Sequence, residues 1–319
     1  MNHAQGRADL LDRLDWPSGP VDIVLDTDTA AEVDDPFALA YAALSTPRVQ
    51  LRAVTAAPFT YDHAPTPGRG VRQSRDEAKR ILALLDMPTS PRVCLGSERW
   101  LESPNDSVPS EARDTLVELL ESRGDQSLYV VCIAAATNVA SVLNHRPDLA
   151  AKMVVLWLGG HPLHWPRTDE FNLKGDAHAA RTLLDSGAPL ILFPCRLVAE
   201  MLHATLAELE THLRGASPVA DALVDLVRDF VHEPMTTPGV SKPIWDLAPL
   251  AWLINPDWVT TSIQPSPVLT PELTWRRDPG RHPIRVAEHI DRSGVFVDLF
   301  RKLYGHRPPQ PARPSPPGS

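Results

Sequence analysis

The sequence lacks any apolar run long enough to cross a membrane. A membrane-spanning helix needs roughly 20 consecutive apolar residues, and no stretch of the 319 residues approaches that length. The amino-terminal residues carry charges where a secretory signal would place an apolar run, so export is not indicated. We therefore expect a cytoplasmic protein with no membrane partner.

Cysteine and positive charge are also scarce. The three cysteines, Cys94, Cys132 and Cys195, lie far apart in apolar stretches, which is typical of reduced core thiols rather than of a disulfide framework or a zinc site. The 31 Lys and Arg residues are outnumbered by 40 Asp and Glu residues, which gives a formal net charge of −9. Because affinity for a phosphate backbone comes mainly from clustered Lys and Arg, we do not expect a nucleic-acid partner.

What the sequence does contain is an alternation of short apolar runs and longer amphipathic stretches. This pattern predicts an α/β fold, in which helices flank both faces of a mostly parallel open sheet. A chain of 319 residues fits one domain, which we place over residues 1–305. The predicted strands are 21–26, 51–56, 92–96, 128–134, 153–160 and 189–194. The predicted helices between them are 35–44, 74–86, 111–123, 137–144 and 176–186.

The second half of the chain has a different pattern. Beyond about residue 196 it predicts a mostly helical part, over 199–214, 218–231 and 245–254, with short strands near 259–263 and 284–289. Residues 306–319 include six prolines and predict a disordered tail without a catalytic role. Residues 63–73 carry glycine, proline and two arginines, so they predict a flexible loop and a possible mobile lid.

The most informative stretch is IVLDTDTAAEVDDPFALAYAAL, which brings four aspartates together within ten residues. The four are Asp26, Asp28, Asp34 and Asp35. Ligands of open parallel sheets bind at the carboxyl ends of the strands, where this loop is predicted to lie. Crowded carboxylates repel one another, and a hard cation such as calcium or magnesium relieves that repulsion by taking oxygen ligands. A solvated acidic turn in which Asp34 or Asp35 caps the helix is the alternative, but a cap needs only one aspartate.

This aspartate stretch resembles the amino-terminal motif of the inosine-uridine nucleoside hydrolases. The family usually has three residues between its Asp-x-Asp and Asp-Asp pairs, whereas five, 29–33, separate them here, as in a subgroup with the longer form DTDxxxEVDD. Three later segments resemble further family motifs in the expected order. They are AAATNVASVL at 134–143, EFN at 170–172 and IWDLAPLAWL at 244–253.

The resemblance implies a calcium-dependent N-ribohydrolase, which cleaves the N-glycosidic bond of a ribonucleoside to ribose and free base. Asp28 would be the base that activates the attacking water, and Asp26 would support the loop. The implied calcium ligands are Asp28, Asp35, the carbonyl of Thr137, and Asp246. The implied ribose contacts are Asp34, Glu170, Asn172 and Asp246. The resemblance also implies a homodimer or homotetramer with a small nucleoside substrate.

The sequence departs from the family on the side of the leaving base. Trp245 stands where the family often has a histidine, so no general acid is assigned. The family asparagine after the second strand is missing from AVTAAPFTYDH, and another is replaced near His164. His161 and His164 are candidates for base contact or proton donation, or else plain loop residues. Trp245 is the first candidate to stack on the base, and its alternative role is simple packing. For Thr137, the alternative to a metal ligand is an ordinary helix start.

Two other functions compete with the hydrolase. IVLDTDT also fits the Asp-x-Asp-x-Thr strand end of haloacid-dehalogenase-like phosphatases, in which Asp26 would be the nucleophile and magnesium the metal. Such enzymes need a later lysine and a further acidic pair, and neither Lys152 nor Lys174 precedes a convincing Asp-Asp. The second competitor is a ribose- or nucleoside-binding protein without turnover, which the altered leaving-group side would suit.

Overall fold

The computed structural model describes residues 3–87, 89–230 and 234–306. Its centre is an eight-stranded, mostly parallel sheet with helices on both faces, so the predicted fold class is confirmed. The tail prediction for 306–319 lies outside the described residues from 307 onward. No helix in the described part of the chain is long and apolar enough to cross a membrane.

The strands follow the predicted runs closely, with ends that differ by a few residues. Those of the central sheet are β1 (Val21–Thr27), β2 (Val49–Ala56), β3 (Arg92–Cys94), β4 (Leu128–Cys132), β5 (Met153–Leu158), β6 (Leu190–Phe193), β9 (Val259–Pro265) and β12 (Pro283–Ile290). Two small antiparallel pairs add β7 (His203–Thr205) with β8 (Ser241–Pro243), and β10 (Val268–Leu269) with β11 (Trp275–Arg276).

The helices of the first half are α1 (His3–Leu14), α2 (Asp35–Ala43), α3 (Pro67–Leu85), α4 (Glu111–Glu121), α5 (Thr137–His145), α6 (Phe171–Gly175) and α7 (Ala177–Asp185). Those of the second half are α8 (Leu206–Leu213), α9 (Pro218–Arg228), α10 (Leu247–Ile254) and α11 (Arg292–Gly305). The sequence pattern predicted neither α1 nor α11, which flank the central pattern.

The strand order of the central sheet is β3-β2-β1-β4-β5-β6-β12-β9. All neighbouring strands are parallel except β9, which runs antiparallel to β12 at one edge. The chain moves outward from β1 to β3 and then returns to place β4 on the other side of β1. Such a reversal leaves a crevice at the carboxyl ends of the two central strands, which is where open α/β sheets bind ligands.

Apolar side chains cover both faces of the sheet. On one face, Ile23 and Leu25 of β1 pack with α2, α3 and the four helices from α8 to α11. On the other face, Val24 packs with α4, α5 and α7. Every residue of β4 and β5 is buried, as expected for central strands with helices above and below. This double cover holds the crevice on a rigid base.

The prediction of a flexible loop over 63–73 is wrong from residue 67 onward, because α3 begins there. Thr66 caps the helix by accepting a hydrogen bond from the backbone N–H of Arg69, and Pro67 occupies the first turn. Gly70 is required by packing, since a Cβ at this position would lie 2.2 Å from the carbonyl oxygen of Phe59. These residues therefore build a helix start rather than a mobile lid.

The single helix predicted over 199–214 is also wrong. Residues Ala199–Met201 form a 3-10 turn, β7 follows, and α8 begins only at Leu206. Thr205 caps α8 by accepting from the backbone N–H of Glu208, which sets the later start. The short strand β7 pairs with β8 and so carries residues 241–243 toward the crevice.

Candidate active site

The aspartate loop connects β1 to α2 at the crevice. A turn closes directly after the strand, where the backbone N–H of Ala31 donates to the carbonyl of Asp28 at 2.6 Å. Asp34 occupies the position before the helix, but its side chain makes no capping hydrogen bond. Helix capping therefore does not explain the second aspartate pair, and the side chains of both Asp34 and Asp35 face the cavity described below.

Four buried carboxylates, which we call the floor, lie together in this crevice. They are Asp28, Asp34, Asp35 and Asp246. Carboxylate oxygens of Asp34, Asp35 and Asp246 all lie within 4.8 Å of one another, and the Asp28 carboxylate lies against that of Asp35. Asp246 comes from the start of α10, more than 200 residues after the loop. The structure therefore brings together the aspartates that the first and last motifs predicted.

Burial and mutual repulsion perturb the protonation of the floor. Burial raises the pKa of Asp35 to about 7, and the charge of Asp34 is the second cause. Burial, followed by the charges of neighbouring aspartates, holds the pKa of Asp28 and of Asp246 well above the usual range. Burial also raises the pKa of Asp34, although Lys242 opposes that shift. Such a cluster binds protons unless another positive charge neutralises it.

The donor set of the floor fits a hard divalent cation. All of its ligand atoms are carboxylate oxygens, which calcium and magnesium prefer, and their crowding is the arrangement that such a cation stabilises. A bound cation would also favour the ionised carboxylates that burial disfavours. Metal binding is therefore consistent with both the geometry and the raised pKa values.

Asp26 lies outside this cavity, below the floor. It is fully buried, and its carboxylate accepts hydrogen bonds from Thr55 Oγ1 at 2.6 Å and from Asn138 Nδ2 at 2.8 Å. Burial nevertheless raises the pKa of Asp26 to about 6, against the effect of these donors. A phosphatase nucleophile must reach its substrate, so the structure does not favour the reading in which Asp26 attacks a phosphate. A supporting role fits its hydrogen bonds.

The Thr-Asn segment contributes to the scaffold more than to the cavity. The Thr137 hydroxyl donates to Asp176 Oδ2 at 2.9 Å, and Thr137 does not line the cavity. Asn138 joins three segments, because its Nδ2 also donates to the carbonyl of Ala56 while its Oδ1 accepts from Ser97. The residue that does line the cavity here is Ile133, which lies between the end of β4 and this segment.

Glu170 and Asn172 form the wall opposite the aspartate loop. Glu170 caps α6, and its carboxylate accepts from the backbone N–H groups of Gly160, Asn172 and Leu173 at 2.9 to 3.0 Å. The Asn172 amide donates to the carbonyls of Ile133 and Leu158. Both of its amide hydrogens are thus used, so its Oδ1 is the atom left to accept from a ligand. The Glu-Phe-Asn motif therefore lies beside the aspartate motif.

The cavity enclosed by these groups has a volume of about 290 Å³. Besides the floor, Glu170 and Asn172, its lining includes a more exposed group, which we call the rim. The rim consists of Glu32, His161, Arg196 and Trp245. Further lining comes from Ala31, Ile133, Leu158, Asp169, Phe171 and Cys195. This space is at the lower end of the size range for small-molecule sites.

The three candidates for base contact separate in the structure. Trp245 and His161 line the cavity, whereas His164 lines a different, mainly apolar cavity beyond β6. Burial, followed by the charge of Arg196, lowers the pKa of His161. A histidine with a lowered pKa is mostly neutral at pH 7, which makes it a weak proton donor.

Sequence reasoning missed three residues that line the cavity, Glu32, Cys195 and Arg196, and one that lies behind its lining, Lys242. Glu32 lies inside the aspartate stretch, and its position in the longer loop between the two aspartate pairs could have marked it as a site residue. Lys242 lies four residues before Asp246 and touches the floor, with its Nζ 3.8 Å from Asp34 Oδ1. Cys195 and Arg196 follow the end of β6, where ligand-binding residues of parallel sheets are expected.

Comparison with known proteins agrees with this geometry. The chain is 27% identical to the pyrimidine-specific ribonucleoside hydrolase RihA of Salmonella paratyphi A over 266 residues, which cover 75% of this chain and 81% of the relative. It is 28% identical to the RihA of Klebsiella pneumoniae over 254 residues, or 72% of this chain and 78% of that one.

Solved structures show the same fold. A purine-preferring ribonucleoside hydrolase from Gardnerella vaginalis superposes with a TM-score of 0.69 at 20% identity, covering 89% of this chain and 98% of the other. An inosine-uridine preferring nucleoside hydrolase from Bacillus anthracis gives a TM-score of 0.65 at 14% identity, with 89% and 99% covered.

The sequence profile of one family spans most of the chain. This profile, described as inosine-uridine preferring nucleoside hydrolase, matches residues 23–297 and so includes all four motifs. The predicted resemblance is thereby confirmed, and so is the prediction of an enzyme class that hydrolyses N-glycosyl bonds. The chain belongs to the inosine-uridine preferring nucleoside hydrolase family.

Proposed function

We propose that this protein is a calcium-dependent N-ribohydrolase that cleaves ribonucleosides to ribose and free base. The observation that carries the proposal is the convergence of the floor with Glu170 and Asn172 around one small cavity. These residues come from three motifs that are far apart in sequence and meet at the carboxyl ends of the strands. A set of hydrogen-bond acceptors around a cavity of this size suits a ligand rich in hydroxyl groups.

We assign the metal to Asp28, Asp35 and Asp246, with a backbone carbonyl as a further ligand. The family resemblance implies the carbonyl of Thr137. Because Ile133 lines the cavity and Thr137 does not, we assign this ligand to the carbonyl of Ile133 instead. A bound calcium would neutralise part of the floor and polarise the oxygen atoms of water and of sugar hydroxyls. Calcium itself, rather than magnesium, is the prediction of the family resemblance.

We assign the sugar to the remaining acceptors. Asp34 and Asp246 would accept from ribose hydroxyls, Glu170 would accept from the far end of the sugar, and Asn172 would use its Oδ1. A site that binds hydroxyls through buried acceptors rejects a substrate that lacks one of them, because an acceptor is then left without a donor. The proposed enzyme should therefore prefer ribonucleosides to deoxyribonucleosides.

The chemical step assigns one role to Asp28 and another to the floor as a whole. Asp28 takes a proton from the water that attacks the anomeric carbon, while the bond to the base breaks and its electron pair leaves on the base nitrogen. That nitrogen takes a proton from solvent water, because no side-chain acid is assigned. Positive charge develops on the sugar ring in an oxocarbenium-like transition state, and the negative floor stabilises it more strongly than it stabilises the neutral substrate. Trp245 offers the base a surface for stacking.

The test is an assay of ribose release with a panel of purine and pyrimidine ribonucleosides and with p-nitrophenyl riboside. Each substrate is incubated with the protein in the presence of added calcium, and in a parallel assay in the presence of a chelator. Calcium-dependent release of ribose supports the proposal, and the preferred base then identifies the natural class of substrate. Tight binding of nucleosides without release would instead support the non-catalytic binding protein. The homodimer or homotetramer stays a prediction, which light scattering would test.

A further inference from the structure

A buried lysine touches the floor, and no motif of the family accounts for it. Lys242 lies on the short strand β8 and is only 4% exposed. Its Nζ donates to Glu32 Oε2 at 2.7 Å and to the carbonyl of Pro243 at 3.3 Å. The same Nζ lies 3.8 Å from Asp34 Oδ1. A lysine is rarely buried unless it is paired, so its placement needs a reason.

The surroundings of Lys242 keep it charged. Burial alone would lower the pKa of Lys242, but the charges of Asp34 and Glu32 reverse this and hold its pKa above the usual value. The rings of Phe230 and Trp245 lie 5.4 Å and 6.0 Å from its Nζ, at a distance typical of cation–π contact. The ammonium is thus enclosed by two carboxylates and two aromatic rings.

Glu32 holds the lysine from the other side. It belongs to the two-residue-longer aspartate loop, and its side chain is 31% exposed at the rim. Glu32 also shares a hydrogen bond with Tyr61, whose pKa rises because of burial and then because of the Glu32 charge. Glu32 therefore ties the aspartate loop both to β8 and to the segment that follows β2.

Asp34 is the floor residue that depends most on this pair. Its carboxylate lies within 4.8 Å of those of Asp35 and Asp246, and it shares a hydrogen bond with Asp246. Lys242 places a positive charge 3.8 Å from Asp34 Oδ1, and this charge lowers the pKa of Asp34. An acceptor of a substrate hydroxyl has to stay in one orientation, and a buried ion pair can fix a side chain in that way.

We propose that Lys242 is a positioning residue, which holds Asp34 in the orientation that accepts a ribose hydroxyl, and that Glu32 fixes Lys242 for this task. The inference rests on the proposed function, because it takes the sugar contact of Asp34 from there. It gives the longer aspartate loop a purpose, since the extra length brings Glu32 to the lysine. Lys242 then contributes to the selection of ribosides over deoxyribosides without touching the substrate.

The experiment compares the discrimination between hydroxylated and deoxy substrates in wild type and in Lys242→Met. The ratio of kcat/KM for a ribonucleoside to that for its 2′-deoxy and 3′-deoxy analogues is measured with calcium present. For the analogue that lacks the hydroxyl bound by Asp34, the ratio should fall about tenfold in Lys242→Met. A misplaced Asp34 no longer forms the hydrogen bond through which the wild type favours the ribonucleoside. KM for the ribonucleoside should rise more than kcat falls.

Three further variants separate positioning from a general loss of structure. Lys242→Arg keeps the charge and should restore most of the ratio, and Glu32→Gln should give an intermediate fall. Lys302→Met is the matched control, because Lys302 forms another partly buried ion pair, with Asp298 on α11. Its loss should lower the melting temperature and leave the ratio unchanged. A Lys242→Met protein that loses activity but keeps the wild-type ratio would overturn the proposal.

Measurements of sugar binding distinguish a failure of this inference from a failure of the proposed function. If the wild type releases no ribose, the proposed hydrolysis fails, and calorimetric titration with ribose and with 2-deoxyribose and 3-deoxyribose then decides about Lys242. A wild-type preference for ribose that shrinks in Lys242→Met would still support a positioning role. Equal preferences in the two proteins, or no sugar binding by the wild type, would overturn it.

Discussion

The floor and the rim of the cavity differ in how their residues are arranged along the chain. The floor comes from two motifs at helix starts, and its carboxylates are buried within a few ångströms of one another. The rim includes Glu32 and Trp245 from those same motifs and adds two residues that follow β5 and β6, His161 and Arg196, and its side chains are more exposed. In the proposed function the floor carries the metal and the chemistry, whereas the rim contacts the leaving group. A substitution in the floor should therefore abolish turnover, and one in the rim should alter selectivity.

The strongest test of this contrast is Asp28→Asn. The amide keeps the shape of the side chain but does not accept the proton of the attacking water, so kcat should fall about 1,000-fold. The measurement is ribose release under saturating substrate and calcium. Asp22→Asn is the control, because Asp22 lies on β1, the strand that leads to Asp28, and pairs with Arg52 and Arg123 away from the cavity. Turnover of Asp28→Asn near the wild-type rate would remove Asp28 from the mechanism.

The sequence was sufficient to predict the floor for a physical reason. Asp28, Asp34 and Asp35 lie at a strand end and a helix start, so local pattern alone places them at the crevice. The contact between Lys242 and Glu32 joins residues 210 positions apart, through a short strand pair that has no clear sequence signal. Which residue near a motif lines the cavity also depends on packing, so the sequence pointed to Thr137 whereas Ile133 lines the cavity. The inner strands such as β4 and β5 were predictable because each is a short apolar run, whereas the edge strand β9 is largely polar.

The second prediction concerns pH and the metal. The pKa values of Asp26 and Asp35 are raised to about 6 and about 7 in the folded protein, from an ordinary value of 3.8. Raised acidic pKa values favour the protonated folded state, so this stability is present below pH 3.8 and is lost as pH rises through about 7. Without metal, the melting temperature should therefore fall between pH 4 and pH 8.

Calcium should reverse that loss, because it binds the ionised carboxylates that high pH produces. We expect the calcium-induced rise in melting temperature to be about 5 °C larger at pH 8 than at pH 5, with saturating metal. Thermal scans with calcium and with chelator at both pH values give the result. A calcium shift that is equal at the two pH values would contradict metal binding at the floor.

The rim should respond more weakly and more selectively. Trp245→Ala removes the proposed stacking surface, so KM for the preferred nucleoside should rise about fivefold to tenfold. Product inhibition by ribose should not change, since ribose carries no base. Trp245→Phe keeps an aromatic face and should stay near the wild type. If ribose inhibition weakened to the same extent as nucleoside binding, Trp245 would belong to the sugar site.

The smallest effect is expected for Thr137→Ala, which keeps the backbone carbonyl and tests the side chain alone. This change removes the hydrogen bond to Asp176 and should lower the free energy of unfolding by about 1 kcal/mol. The calcium midpoint and kcat should stay within about twofold of the wild type, because Thr137 does not line the cavity. Denaturant unfolding, calcium titration and ribose release measure the three quantities. A loss of calcium affinity well beyond twofold with normal stability would show that the Thr137 side chain acts on the metal site.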